Sequence, residues 1–90
     1  MDMRKTIKLL KQNGIQIVAC TEKAHTLLFQ IDLKGPLAIV MGSEEDGISP
    51  ELLKDADVLV KIPLLGHIES LNVSVAAGVA IYEAIRQKSQ

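Results

Sequence analysis

The chain has 90 residues, 48% hydrophobic and 23% charged, with a formal net charge of −1. That length makes one small domain, and that composition excludes a disordered chain. The near-neutral charge excludes a protein that holds nucleic acid by bulk positive charge alone, though not RNA as a substrate held by a partner subunit or a further domain.

Residues 3–12 (MRKTIKLLKQ) place Ile7, Leu10 and Met3 on one helical face with lysines opposite, and Asn13-Gly14 stops the helix. Residues 15–19 (IQIVA) read as a buried strand. Residues 21–32 have no single reading: Leu27, Leu28 and Ile31 suit a short helix or a packed loop. Gly35-Pro36 is a breaker, and residues 37–41 (LAIVM) form a second buried strand, followed directly by GSEEDG. Ser49-Pro50-Glu51 opens a short helix, with Ser49 as N-cap, Pro50 at the first helical position and an acid in the first turn.

Residues 58–62 (VLVKI) form a third strand, closed by Pro63, and residues 64–69 form a loop. A long helix runs from about Ser70 to Gln87, with small residues at Ala76, Ala77, Gly78 and Ala80 that let another backbone come close. The alternation predicts an α/β fold, a mostly parallel sheet with flanking helices. Ligands in such sheets gather at the carboxyl ends of strands. Two loops there are rich in glycine and polar residues, 42–49 and 63–72, and the loop after the first strand is a third candidate.

The simplest chemistries do not fit. Gly42 and Gly47 have phosphate-loop spacing, but Ile48 and Ser49 follow where such a loop needs a lysine, and three acids lie between. No GxGxxG is present. Residues 44–46 are too compact for a calcium loop. His25 and His67 each lack a second ligand at metal spacing, Cys20 is alone, and no nucleophile elbow surrounds Ser74. With Phe29 and Tyr82 the only aromatics, base stacking is a poor basis for recognition. No uncharged run approaches the ~20 residues that span a bilayer. Taken singly, GSEEDG reads as a solvated turn, and Ser70-Leu71-Asn72 as a helix cap.

Taken together, the segments say more. LAIVMGSEEDGIS, followed 12 residues later by IPLLGHIESLNVSVAAGVAIYEAIRQ, resembles motifs 2 and 3 of the SPOUT superfamily. More narrowly, it resembles the TrmH-type enzymes that methylate ribose 2′-hydroxyls of rRNA or tRNA. The likeness covers residues 37–90, and its specificity lies in the two motifs at this spacing. It implies a cytoplasmic homodimer with a trefoil-knotted domain that uses S-adenosyl-L-methionine on RNA, without metal or membrane. By position it implies cofactor contacts at Met41, Gly42, Ile62, Leu64 and Leu71. Glu44 takes the place of the motif 2 acid, and Ser70 and Asn72 that of the motif 3 polar residues near the reaction centre. Glycine for close approach and apolar walls for an adenine agree with such a pocket.

The sequence departs from the family at motif 1, which carries an Asn and then an Arg that assists deprotonation of the ribose hydroxyl. Arg4 has no Asn before it and Arg86 lies at the far end, so neither matches. The resemblance therefore implies that residues 1–90 are the C-terminal portion of a SPOUT methyltransferase domain, inactive alone. The alternatives are a non-catalytic cofactor-binding or dimerisation module, and a structural α/β interaction domain whose glycines serve only turns.

Overall fold

Ile17, Val18 and Ala19 are completely buried, and around them the fold is built. A computed structural model describes residues 2–42, 47–63 and 72–89. Strand β1 (Gln16–Cys20) lies between β2 (Leu37–Val40) and β3 (Val58–Val60), all parallel, in the order β2-β1-β3. Val18 pairs with Ile39 on one side and Val58 on the other. The predicted parallel α/β sheet is the one observed.

Alternation along the strands divides the core in two. Val18, Val58, Val60, Leu37 and Ile39 join Leu28, Leu33, Ala80 and Ala84 on one face. Ile17, Ala19, Ala38, Val40 and Leu59 join Ile7, Ile48, Leu52 and Leu53 on the other. Helix α3 (Val73–Lys88) therefore covers one face, and α1 (Met3–Gln12) and α2 (Pro50–Asp55) cover the other. Burying a side chain such as Ile17 or Val18 contributes about 1.5–3 kcal/mol relative to leaving it exposed.

The helix ends show ordinary capping chemistry, with Gly14 and Ser49 in the roles expected of them. Asp2 caps α1, accepting the Arg4 and Lys5 N–H groups, and Gly14 leaves that helix with φ +77°. The Ser49 hydroxyl accepts the Leu52 N–H of α2. Three expectations are revised. Met3 is exposed rather than on the buried face of α1, which Ile7 and Leu10 form. Strands β2 and β3 stop one and two residues earlier than expected. Helix α3 begins at Val73 because Asn72 caps it, and Gly78 faces solvent with nothing near it, so the close contacts belong to Ala76, Ala80 and Ala84. The expected trefoil knot would involve the loops after β2 and β3, and residues 43–46 and 64–71 of those loops lie outside the described residues.

Candidate functional site

The strands all end on the same edge of the sheet. Met41 and Gly42 follow β2, Thr21 follows β1, and Lys61, Ile62 and Pro63 follow β3. Neighbouring strands stand about 4.8 Å apart, so the ends of β2 and β3 flank β1 across about 10 Å. Met41 and Ile62 are half-buried, and Ile62 packs against the α3-side core. Past the last ladder pairs, Ala19 with Val40 and Cys20 with Val60, Thr21 donates to the Val60 carbonyl and Lys61 bonds residues 26 and 28, so the donors and acceptors left to this edge belong to the backbone of Met41, Gly42 and Ile62.

Gly42 is fixed by its own chain. A Cβ there would meet the backbone of Gly47 and come within 2.5 Å of the Ile48 nitrogen. Gly47 has φ +69°, a left-handed conformation that suits glycine. Ile48 is buried in the core on the α1–α2 side and anchors this neck. The two glycines of GSEEDG thus have separate reasons, close approach at one end and backbone conformation at the other.

Asn72 heads α3. Its side-chain oxygen accepts the Ser74 N–H at 2.8 Å and its carbonyl accepts the Ala76 N–H at 2.9 Å. Glu44, Leu64, Ser70 and Leu71 lie outside the described residues, as does His67. The structure therefore brings Met41, Gly42 and Ile62 to one edge and gives Asn72 a capping role. His25 and Ser74 are exposed. Arg4 pairs with Asp55 at 3.2 Å and Arg86 pairs with Glu83 at 2.7 Å. Burial pushes the Cys20 thiol up, which keeps it protonated at neutral pH. Among the described residues no group of three His, Cys, Asp or Glu could hold a metal ion.

Residues 26–28 supply a support that the sequence did not signal. The Lys61 N–H donates to the Thr26 carbonyl and the Leu28 N–H donates to the Lys61 carbonyl, each at 2.9 Å. The segment after β1 thus holds the exit of β3 beside Ile62. Asp57 plays a similar part at the other edge, accepting the Ile17 N–H at 2.7 Å. A shallow depression lined by Lys11, Gly14, Ile15, Gln16 and Asp57 opens there, at the amino ends of the strands.

The profile of the SpoU rRNA Methylase family matches residues 1–82. The 23S rRNA (guanosine-2′-O-)-methyltransferase RlmB of Ralstonia nicotianae is 42% identical over 88 residues, covering 98% of this chain and 35% of that protein. A crystal structure of an RNA 2′-O ribose methyltransferase superposes with a TM-score of 0.90 at 36% identity, covering 100% of this chain and 35% of the other. An AdoMet-bound rRNA methyltransferase from Sinorhizobium meliloti gives a TM-score of 0.84 at 33% identity, covering 92% of this chain and 32% of the other. The chain thus spans about a third of the length of these proteins.

Proposed function

The chain belongs to the SpoU rRNA methylase family, and from that premise we propose that it is the C-terminal, cofactor-holding portion of an RNA 2′-O-ribose methyltransferase domain. The reading rests on one observation above others. The pinched neck of Gly42 against Gly47 and Ile48 stands at the end of β2, on the same edge as Ile62 past the end of β3. The residues there suit S-adenosyl-L-methionine: Met41 and Ile62 offer apolar walls, and the backbone of Met41, Gly42 and Ile62 offers hydrogen bonds.

Bound there, S-adenosyl-L-methionine supplies an electrophilic methyl group on a sulfonium sulfur. Met41, Gly42, Ile62, Leu64 and Leu71 are assigned to hold it. Glu44, Ser70 and Asn72 are assigned to the reaction centre, where a ribose 2′-oxygen of rRNA or tRNA must be aligned and lose its proton. Asn72 is neutral and already caps α3, so its part is to orient rather than to take the proton. The motif 1 arginine, which the family resemblance assigns to assist that deprotonation, has no match in residues 1–90. On this reading the enzyme works in the cytoplasm, where its RNA is.

The chain is further proposed to act as a homodimer. Val75, Tyr82 and Ile85 are exposed and recur at i, i+7 and i+10 on α3, with Ile81 beside them. An apolar helical stripe of this kind suits a second copy of the same helix. Calorimetry with S-adenosylhomocysteine, the demethylated product, tests the functional reading. One site per chain is expected. A folded chain that shows no binding up to millimolar ligand would instead support a structural α/β interaction domain.

A further inference from the structure

Gln87 lies in the last turns of α3, buried, and its amide makes three hydrogen bonds. Its Oε1 accepts the Leu33 N–H at 2.7 Å, and its Nε2 donates to the Ile31 carbonyl at 3.1 Å and to Glu83 Oε2 at 2.9 Å. An amide that donates to one carbonyl and accepts from the N–H two residues on does what one residue of a neighbouring parallel strand does. Lys61 reads Thr26 and Leu28 in the same way through its backbone. A single side chain of α3 thus pairs with the extended segment that feeds β2.

The orientation of this amide is enforced. Glu83 is buried and receives both Arg86 Nε at 2.7 Å and Arg86 Nη2 at 2.9 Å. An ionised carboxylate only accepts, so the NH₂ end of Gln87 must face it and the oxygen must face Leu33. The rest of the buried face of α3 is Ala76, Ala80 and Ala84, with the half-buried Val79 packed beside them. Methyl groups form low ridges and resist sliding along the helix axis weakly, whereas hydrogen bonds are directional.

We propose that Gln87 is a positioning residue for the pocket assigned above, locking α3 along its axis against the segment that feeds β2, the strand that leads to Gly42. The inference rests on the functional reading for what is positioned, and on the hydrogen bonds for how. Asn72 heads the same helix 15 residues away, about 22 Å at 1.5 Å per residue. A slip at Gln87 therefore changes the offset between Asn72 and Gly42 while altering neither residue.

The test compares amide NMR spectra and S-adenosylhomocysteine affinity of the unaltered chain, Gln87→Leu and Gln87→Glu. With Gln87→Leu, the amides of Gly42, Ser74 and Ala76 shift as well as that of Leu33, and affinity falls by about tenfold or more. Changes confined to residues 31–33 and the last turn of α3, or affinity within about twofold of the unaltered chain, overturn the proposal.

Gln87→Glu guards against a Leu variant that fails to fold. Glu83 and Arg86 adjoin the new carboxyl on α3, and Asp32 and Lys34 are the titratable residues of the packed segment. At pH 8 the new carboxylate repels Glu83 and the remote amides shift. As pH is lowered, protonation of this carboxyl, favoured by burial and by Glu83 and opposed by Arg86, lets it again donate and accept, and the remote amides return towards those of the unaltered chain at the same pH. Remote amides that match the unaltered chain at every pH overturn the proposal. If the unaltered chain does not bind S-adenosylhomocysteine, the functional reading fails, and the remote amide shifts alone decide what Gln87 does.

Discussion

Gly42 and Ile48 approach so closely that a methyl group on Gly42 would come within 2.5 Å of the Ile48 backbone nitrogen. Neither backbone can give way cheaply, since one follows a core strand and the other carries a buried side chain. Gly42→Ala is therefore expected to cost about 3 kcal/mol, the upper end of ordinary overpacking. Gly47→Ala has open space around the new methyl but φ +69°, and should cost about 1–2 kcal/mol. Urea midpoints for the two variants check the order. Equal losses would mean that the neck is not the constraint.

Helix α3 offers a test of which small residues are in contact. Ala80 is fully buried in the core, and Ala80→Leu should cost about 1–3 kcal/mol. Gly78 has nothing within 4 Å, and Gly78→Ala should raise stability by about 0.5–1 kcal/mol through helix propensity. Thermal midpoints moving in opposite directions are the expected result. A destabilised Gly78→Ala variant would show that this position also packs against something, such as a second copy.

Glu83 should shape the acid side of the stability curve. Its hydrogen bonds from Arg86 and then Gln87, with the Arg86 charge, hold its carboxyl down to about 2, well below the ordinary 4.5. A carboxylate with a depressed folded-state pKa stabilises the fold above its unfolded value. That contribution fades as pH falls from 4.5 towards about 2. Glu83→Gln should be less stable at pH 7 and show a flatter loss between pH 5 and pH 2. A variant whose acid limb parallels that of the unaltered chain would count against the ion pair as its cause.

The exposed stripe of α3 predicts the oligomeric state. Tyr82→Arg places a charge at the most exposed of the large apolar residues among those described, 71% accessible in the single chain. Sedimentation should then move from dimer towards monomer with the fold retained. An unaltered chain that is already monomeric, or a dimer indifferent to the change, would place self-association elsewhere.

What could be read from the sequence was local, and what could not was carried by distant partners. Asn13-Gly14, Ser49-Pro50 and the apolar runs mark α1, α2 and the strands through chemistry within a few residues. Residues 21–32 gave no clear reading because their backbone bonds go to Lys61, outside any local window. Gln87 marks only a helix end in the sequence, since its partners lie 54 and 56 residues away. Met3 has helical spacing with Ile7 but lies exposed in the first turn of α1. At the site, the family resemblance implied roles for Gly42 and Ile62. It did not show that the close approach at Gly42 is made by the chain itself.

Titrating the labelled chain with S-adenosylhomocysteine while following its amide resonances tests the central claim most directly. The account predicts that the largest changes fall on Gly42, Gly47 and Ile62, at the carboxyl ends of the strands. Largest changes at Gly14, Gln16 and Asp57, beside the depression at the amino ends, or no changes at all, would contradict it.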